Sequence, residues 1–209
     1  AEDVSQINSL FVREIFDAFA DDFEDVLHSL DYSVPSLMSK DLASLYSNLH
    51  LKKMKILDAG CGTGLCASYL KKYAKFRGLD GVDISAKMLE VAKLKKLYTH
   101  LYNEDINGFL ASNVDEYDLI NAADVFTYFG ELGSLFALLA ASLHKDGRVL
   151  FSVSENYVND NNWFLHASGR FLHNKTYVEN SLTRQGFFVE KMNRVRLRNE
   201  GGQPVYGWI

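Results

Sequence analysis

The sequence predicts an α/β fold: a mostly parallel seven-stranded sheet with helices on both faces, finished by a C-terminal antiparallel hairpin. Three observations predict it. Short apolar runs alternate with helical patterns from Lys55 onward, the arrangement that builds a parallel sheet from crossover units. Three glycines, Gly60, Gly62 and Gly64, follow the first of those runs at two-residue spacing, marking a strand-to-helix turn that something must approach closely. From Phe187 to Ile209 the rhythm changes to two β-rich runs around Gly201 and Gly202, which read as a hairpin.

The elements follow in order. Residues 5–30 carry Val12, Phe16, Phe19, Phe23, Val26 and Leu30 at helical spacing, with acidic residues on much of the other side, so an amphipathic helix broken once is expected. Pro35 disfavours helix at Val34 and separates this from a second helix, Ser36 to about Asn48. Strands are expected at Lys55–Ala59, Gly81–Ile84, Leu101–Asn103, Tyr117–Ala122, Arg148–Val153 and Phe187–Arg196. Helices are expected at Leu65–Tyr73, Ala86–Lys96, Glu131–Leu143 and Thr176–Gln185. The chain reads as one domain over 1–209, with 1–50 as a helical cap on an α/β core of 51–209. Residues 155–175 mix aromatics, amides, two histidines and Arg170 without clear period, and are expected to form a substrate lid.

Composition narrows the setting. A formal charge of −5 over 209 residues argues against a chain built around phosphate contacts. No apolar run reaches the ~18 residues a membrane span needs, and no secretory leader opens the sequence, so a cytoplasmic protein with no membrane partner is expected. Cys61 and Cys66 lack neighbouring ligands at metal-binding spacing and read as reduced thiols, with no metal site.

The glycine loop gains meaning from Asp83, at the end of the second strand. A carboxylate there can accept from both hydroxyls of a ribose, and a glycine-rich turn lets the ligand lie on the backbone. A dinucleotide fingerprint needs a small residue where Leu65 stands, and the glycines here run G-x-G-x-G instead. At this point ILDAGCGTG (Ile56–Gly64) resembles the first motif of the class I S-adenosylmethionine-dependent methyltransferases. GVDIS, EDI at Glu104–Ile106, YDLINAADVFTYF and LHKDGRVLFSV are similar to the later motifs of that family, in the family's order. The stretch Phe16–Pro35 and the segment from Gly169 to Gly207 also resemble a methyltransferase group found behind tetratricopeptide repeats. That resemblance implies an excised catalytic domain beginning at Ala1, with such repeats in a longer parent chain.

The resemblance implies a Rossmann-like fold, S-adenosyl-L-methionine as cofactor and S-adenosyl-L-homocysteine as product. Carried over, Gly60 and Gly62 approach the methionine and ribose portion, with Cys61 and Gly64 in the same loop. Asp58 lies near the cofactor ammonium, Asp83 binds the ribose, and Ile84 and Met88 pack on the adenine. Asp105 accepts from the adenine amino group, Ile106 covers the ring, and Asn121 ends the fourth strand beside the cofactor. Phe16, Phe19 and Phe23 stand near tyrosines of related openings. They read either as core residues or as rings closing over the cofactor, Phe23 foremost.

Methyl transfer needs alignment and exclusion of water more than a set triad, and none is visible. Asp124 and Tyr128, after the fourth strand, are expected on the methyl side, with His173 as a candidate base because histidine titrates near neutrality. The acceptor is expected to be a small molecule or a peptide side chain. Nucleic acid is disfavoured by charge and because NAAD (Asn121–Asp124) lacks the prolines and aromatic of amino-methylating enzymes of nucleic acids. Two other readings stay open from sequence: a non-catalytic domain that binds the cofactor for regulation or scaffolding, and a nicotinamide-dependent oxidoreductase.

Overall fold

The computed structural model describes residues 5–73 and 75–209, so Ala1 lies outside the described residues. The amphipathic N-terminal run is broken once, into α1 (Ser9–Phe19) and α2 (Phe23–Ser29). Asn8 caps α1, its Oδ1 accepting from the backbone N–H of Leu10 at 2.9 Å. Helix α3 spans Val34–Leu45 and starts before the expected Ser36, because Pro35 falls in the first turn, where a missing N–H costs no helical bond. Then follow α4 (Asn48–Leu51), β1 (Lys55–Ala59), α5 (Leu65–Tyr73), β2 (Gly78–Asp83), α6 (Ala86–Leu94), β3 (His100–Asn103), α7 (Ile106–Ser112) and β4 (Tyr117–Ala122). A 3-10 turn at Phe126–Tyr128 precedes α8 (Gly133–Ser142), β5 (Leu143–Phe151), β6 (Val153–Glu155), β7 (Trp163–Leu165) and β8 (Phe171–His173). The chain closes with α9 (Lys175–Arg184), β9 (Arg194–Glu200) and β10 (Gln203–Trp208).

The expected seven-stranded sheet is instead two five-stranded sheets. A parallel sheet has the order β3-β2-β1-β4-β5, and a mixed sheet has the order β7-β8-β6-β10-β9. The division falls at Ser152, the single residue between β5 and β6. Its hydroxyl accepts from the backbone N–H of Asp124 at 2.9 Å and donates to Asp124 Oδ1 at 2.8 Å. One continuous apolar run thus ends the parallel sheet and starts the mixed one.

One further expectation is corrected. Residues 187–193 form no strand. Phe187, Val189 and Met192 pack on the core without a pairing partner, and the hairpin strand begins only at Arg194. Within 155–175, irregular chain at 156–162 and 166–170 frames two short strands: β7 and β8 pair antiparallel, Trp163 opposite His173 and Leu165 opposite Phe171, and β8 joins β6. The C-terminal hairpin is as expected, turning through Gly201 and Gly202, both at positive φ.

Strand alternation covers both faces of the parallel sheet. Leu57 and Ala59 of β1 join Val82 and Ile120 under Phe109, Leu135, Phe136 and Leu139 of α7 and α8. Ile56, Leu79 and Leu119 face the other way, onto Leu42 of α3 and Ala67 and Leu70 of α5. With both faces occupied, the C-terminal strand ends are where a ligand can lie.

Candidate cofactor and acceptor cavity

One cavity of about 150 Å³ opens across those strand ends. Gly60 and Gly62 line it after β1, Asp83 and Ile84 after β2, Glu104, Asp105 and Ile106 at β3, and Asp124 and Val125 after β4. Val12, Phe16, Phe23 and Leu27 of α1 and α2 roof it, while Tyr32, Tyr128, Phe129 and Arg170 complete one end. Gly60 shows why the loop is glycine-rich. Its φ is +65°, and a Cβ there would sit 2.3 Å from Val125 Cγ2, so any side chain meets both strain and overlap.

Asp83 is tied to this loop. Its Oδ2 accepts from the backbone N–H of Gly62 and its Oδ1 from that of Ser85, each at 2.8 Å. Burial pushes its pKa up to about 6, the two backbone donors opposing part of that rise. Ser85, not Asp83, caps α6, its Oγ accepting from the N–H of Met88 at 3.1 Å. Asp105 caps α7 through the N–H of Asn107 (2.9 Å) and accepts from the Ser9 hydroxyl (3.0 Å).

Acidic side chains hold the roof down. Asp17 accepts from the Ser85 hydroxyl at 2.6 Å, and Glu24 accepts from the Thr63 hydroxyl at 2.5 Å and pairs with Lys95. Phe16 packs edge-to-face on Phe23 and on Tyr128, centroids 6.1 and 5.7 Å apart. Phe16 and Phe23 pack on each other and line the cavity.

At the β4 end, Asp124 adopts φ +57°, uncommon for a residue with a side chain. Ser152 holds its backbone and one carboxylate oxygen, and Arg198 Nη1 donates to the other at 3.0 Å. Arg198 is buried, its Nε donating to Glu200 Oε1 at 2.6 Å.

Of the residues singled out in the sequence, Gly60, Gly62, Asp83, Ile84, Asp105, Ile106, Phe23, Asp124 and Tyr128 meet at this cavity. Others stand behind it. Asp58 is buried, accepting from the Tyr98 hydroxyl (2.7 Å) and the Asn121 amide (2.8 Å), and burial raises its pKa to about 6. Cys61, Asn121 and Met88 are buried in the core, and Gly64 lies against Tyr98. His173 is not at the cavity. It is fully buried, its Nε2 donates to the Phe129 carbonyl (2.8 Å), and burial lowers its pKa to about 4. Such a ring is a neutral structural donor, unsuited to take a proton from an acceptor. The parts played by Ser9 and Arg198 are not legible in the sequence, since their partners Asp105 and Asp124 lie far along the chain.

The donor set fits S-adenosylmethionine. A bare backbone faces the methionine side, and Asp83 keeps a further acceptor site on each oxygen for ribose hydroxyls. Ile84 and Ile106 offer apolar walls. Comparison with known proteins agrees. Residues 30–187 match the family described as a methyltransferase domain, and the chain belongs to that family. It has the class I S-adenosylmethionine-dependent methyltransferase fold. It is 29% identical over 147 residues to a malonyl-[acyl-carrier protein] O-methyltransferase of Priestia megaterium, covering 68% of this chain and 47% of that protein. A ubiquinone biosynthesis O-methyltransferase of Salmonella paratyphi A is 25% identical over 119 residues, 55% of this chain and 48% of that one. The chain thus spans about half the length of these relatives. Among solved structures, magnesium protoporphyrin IX methyltransferase from Synechocystis with bound S-adenosylhomocysteine superposes with a TM-score of 0.71 at 17% identity, covering 96% of this chain and 99% of that one.

Proposed function

We propose that this domain transfers a methyl group to a small-molecule or peptide side-chain acceptor lying against Asp124 and Tyr128. A single cavity running from Asp83 and Asp105 to Asp124 and Tyr128 under an aromatic roof carries the reading. When bound, S-adenosylmethionine supplies an electrophilic methyl on a sulfonium. Asp83 accepts from the ribose hydroxyls and Asp105 from the adenine amino group, while Ile84 and Ile106 flank the ring. Phe16 and Phe23 close the roof and keep water out, which strengthens every polar contact inside. Asp124, fixed by Ser152 and Arg198, orients the acceptor and receives its proton where it arrives protonated.

No described helix is long and apolar enough to cross a membrane. The resemblance to the repeat-associated group supports a longer parent chain with tetratricopeptide repeats outside these residues.

Labelled methyl transfer from S-adenosylmethionine into separated low-mass and peptide fractions tests the reading. Label is expected in one of them, and Asp124→Asn should lower kcat by about 10²-fold, a usual size for a proton-transfer group, with S-adenosylhomocysteine affinity unchanged. Label in neither fraction, or an Asp124→Asn enzyme of full activity, would contradict it.

A further inference from the structure

Four carboxylates line the cavity, from Asp83, Glu104, Asp105 and Asp124, and among the described residues one cation lines it, Arg170. Arg170 immediately precedes β8, at the Asp124 end. Its Nη1 donates to Glu200 Oε1 at 2.5 Å, and the guanidinium also lies against the Tyr128 hydroxyl. The same oxygen already accepts from Arg198 Nε, and Arg198 also holds Asp124. Arg198 and Arg170 together thus balance the two acids Asp124 and Glu200, and N–H donors of Arg170 are left over for a ligand.

A guanidinium carries five N–H donors in a planar fork. Among the described residues this fork in Arg170 meets Glu200 and the Tyr128 hydroxyl, two partners for five donors, although the side chain is only 26% exposed. Donors left so in a half-dry cavity call for an acceptor, and a two-oxygen anion fits the fork. The neighbouring walls are apolar and aromatic, from Ile7, Phe16, Tyr128 and Phe129. Strand order separates this end from the ribose-binding carboxylate: β4 lies two strands from β2, about 10 Å at ordinary strand spacing.

We propose that Arg170 sets acceptor specificity, selecting molecules that carry a carboxylate on an apolar or aromatic body. This rests on reading the Asp124 and Tyr128 end as the acceptor side. A carboxylate could also come from the methionine portion of the cofactor, and the test separates the two.

Protein saturated with S-adenosylhomocysteine is titrated with benzoate, phenylacetate and octanoate, each beside its uncharged amide. At least one acid is expected to bind about tenfold or more tightly than its amide, the gain of a charge-assisted bidentate pair. Arg170→Ala should abolish that preference and Arg170→Lys should keep part of it. S-adenosylhomocysteine affinity should hold in both variants, which shows that each is folded and cofactor-competent. Acids no better than amides, no acid bound, or a preference that survives in Arg170→Ala would overturn the proposal and leave the cofactor site standing. Loss of S-adenosylhomocysteine affinity in Arg170→Ala, restored by lysine, would overturn it in favour of the cofactor's own carboxylate.

Discussion

Acidification should destabilise the protein through His173, and the amount can be worked out. The ring is fully buried, and its Nε2 donates to the Phe129 carbonyl, so Nε2 carries the proton in the neutral form. Nδ1 is buried without a partner among the described residues, and charging the ring would place a proton there with none of them to receive it. The pKa accordingly falls from its ordinary 6.5 to about 4. The unfolded chain therefore takes up this proton first as pH drops. Stability is unaffected by His173 above pH 6.5 and is lost progressively down to about pH 4. At 1.36 kcal/mol per tenfold ratio the full loss is roughly 3 kcal/mol. Asp58 and Asp83, raised from 3.8 to about 6, act in the opposite sense over an overlapping window, because the unfolded chain keeps their charge longer on acidification. The difference between wild type and His173→Gln isolates the ring, since glutamine can still donate to Phe129. Urea midpoints measured from pH 7 to 4 should show the wild type losing about 3 kcal/mol relative to the variant. Parallel pH profiles would refute the buried neutral imidazole.

Other consequences concern the loop and its acid. Gly60→Ala forces a side chain into positive φ, costing about 1–2 kcal/mol before the overlap with Val125, so calorimetry should show S-adenosylhomocysteine affinity falling about tenfold or more. Affinity for S-adenosylhomocysteine should be flat above pH 7 and weaken as pH falls through about 6, because protonation removes the carboxylate of Asp83. An ordinary carboxylate would hold its affinity down to about pH 5, so a titration series distinguishes the two.

What was legible in the sequence were features whose cause is local. Gly60 and Gly62 announce a backbone need at their own positions, Ser85 caps the helix it precedes, and Asp83 ends the strand that aims it. What stayed hidden depends on distant partners. Arg148–Val153 reads as one strand, yet the break at Ser152 comes from Asp124, a residue on the neighbouring strand's exit. Phe187–Arg196 has the alternation of a strand, but pairing needs a neighbour and only the part from Arg194 has one. Asp17 and Glu24 pattern as a solvated helix face and instead clamp the roof to Ser85 and Thr63. His173 sits in a segment rich in polar residues, and nothing nearby in sequence shows that β7, β8 and Tyr177 enclose it.

Isothermal titration of S-adenosylhomocysteine into wild type and Asp83→Ala, with NADH as control, tests the central assignment most directly. Micromolar binding is expected, weakened by about 1–3 kcal/mol in the variant, the loss of a charged hydrogen-bond acceptor, with NADH silent. Equal binding by both proteins, or a preference for NADH, would contradict it.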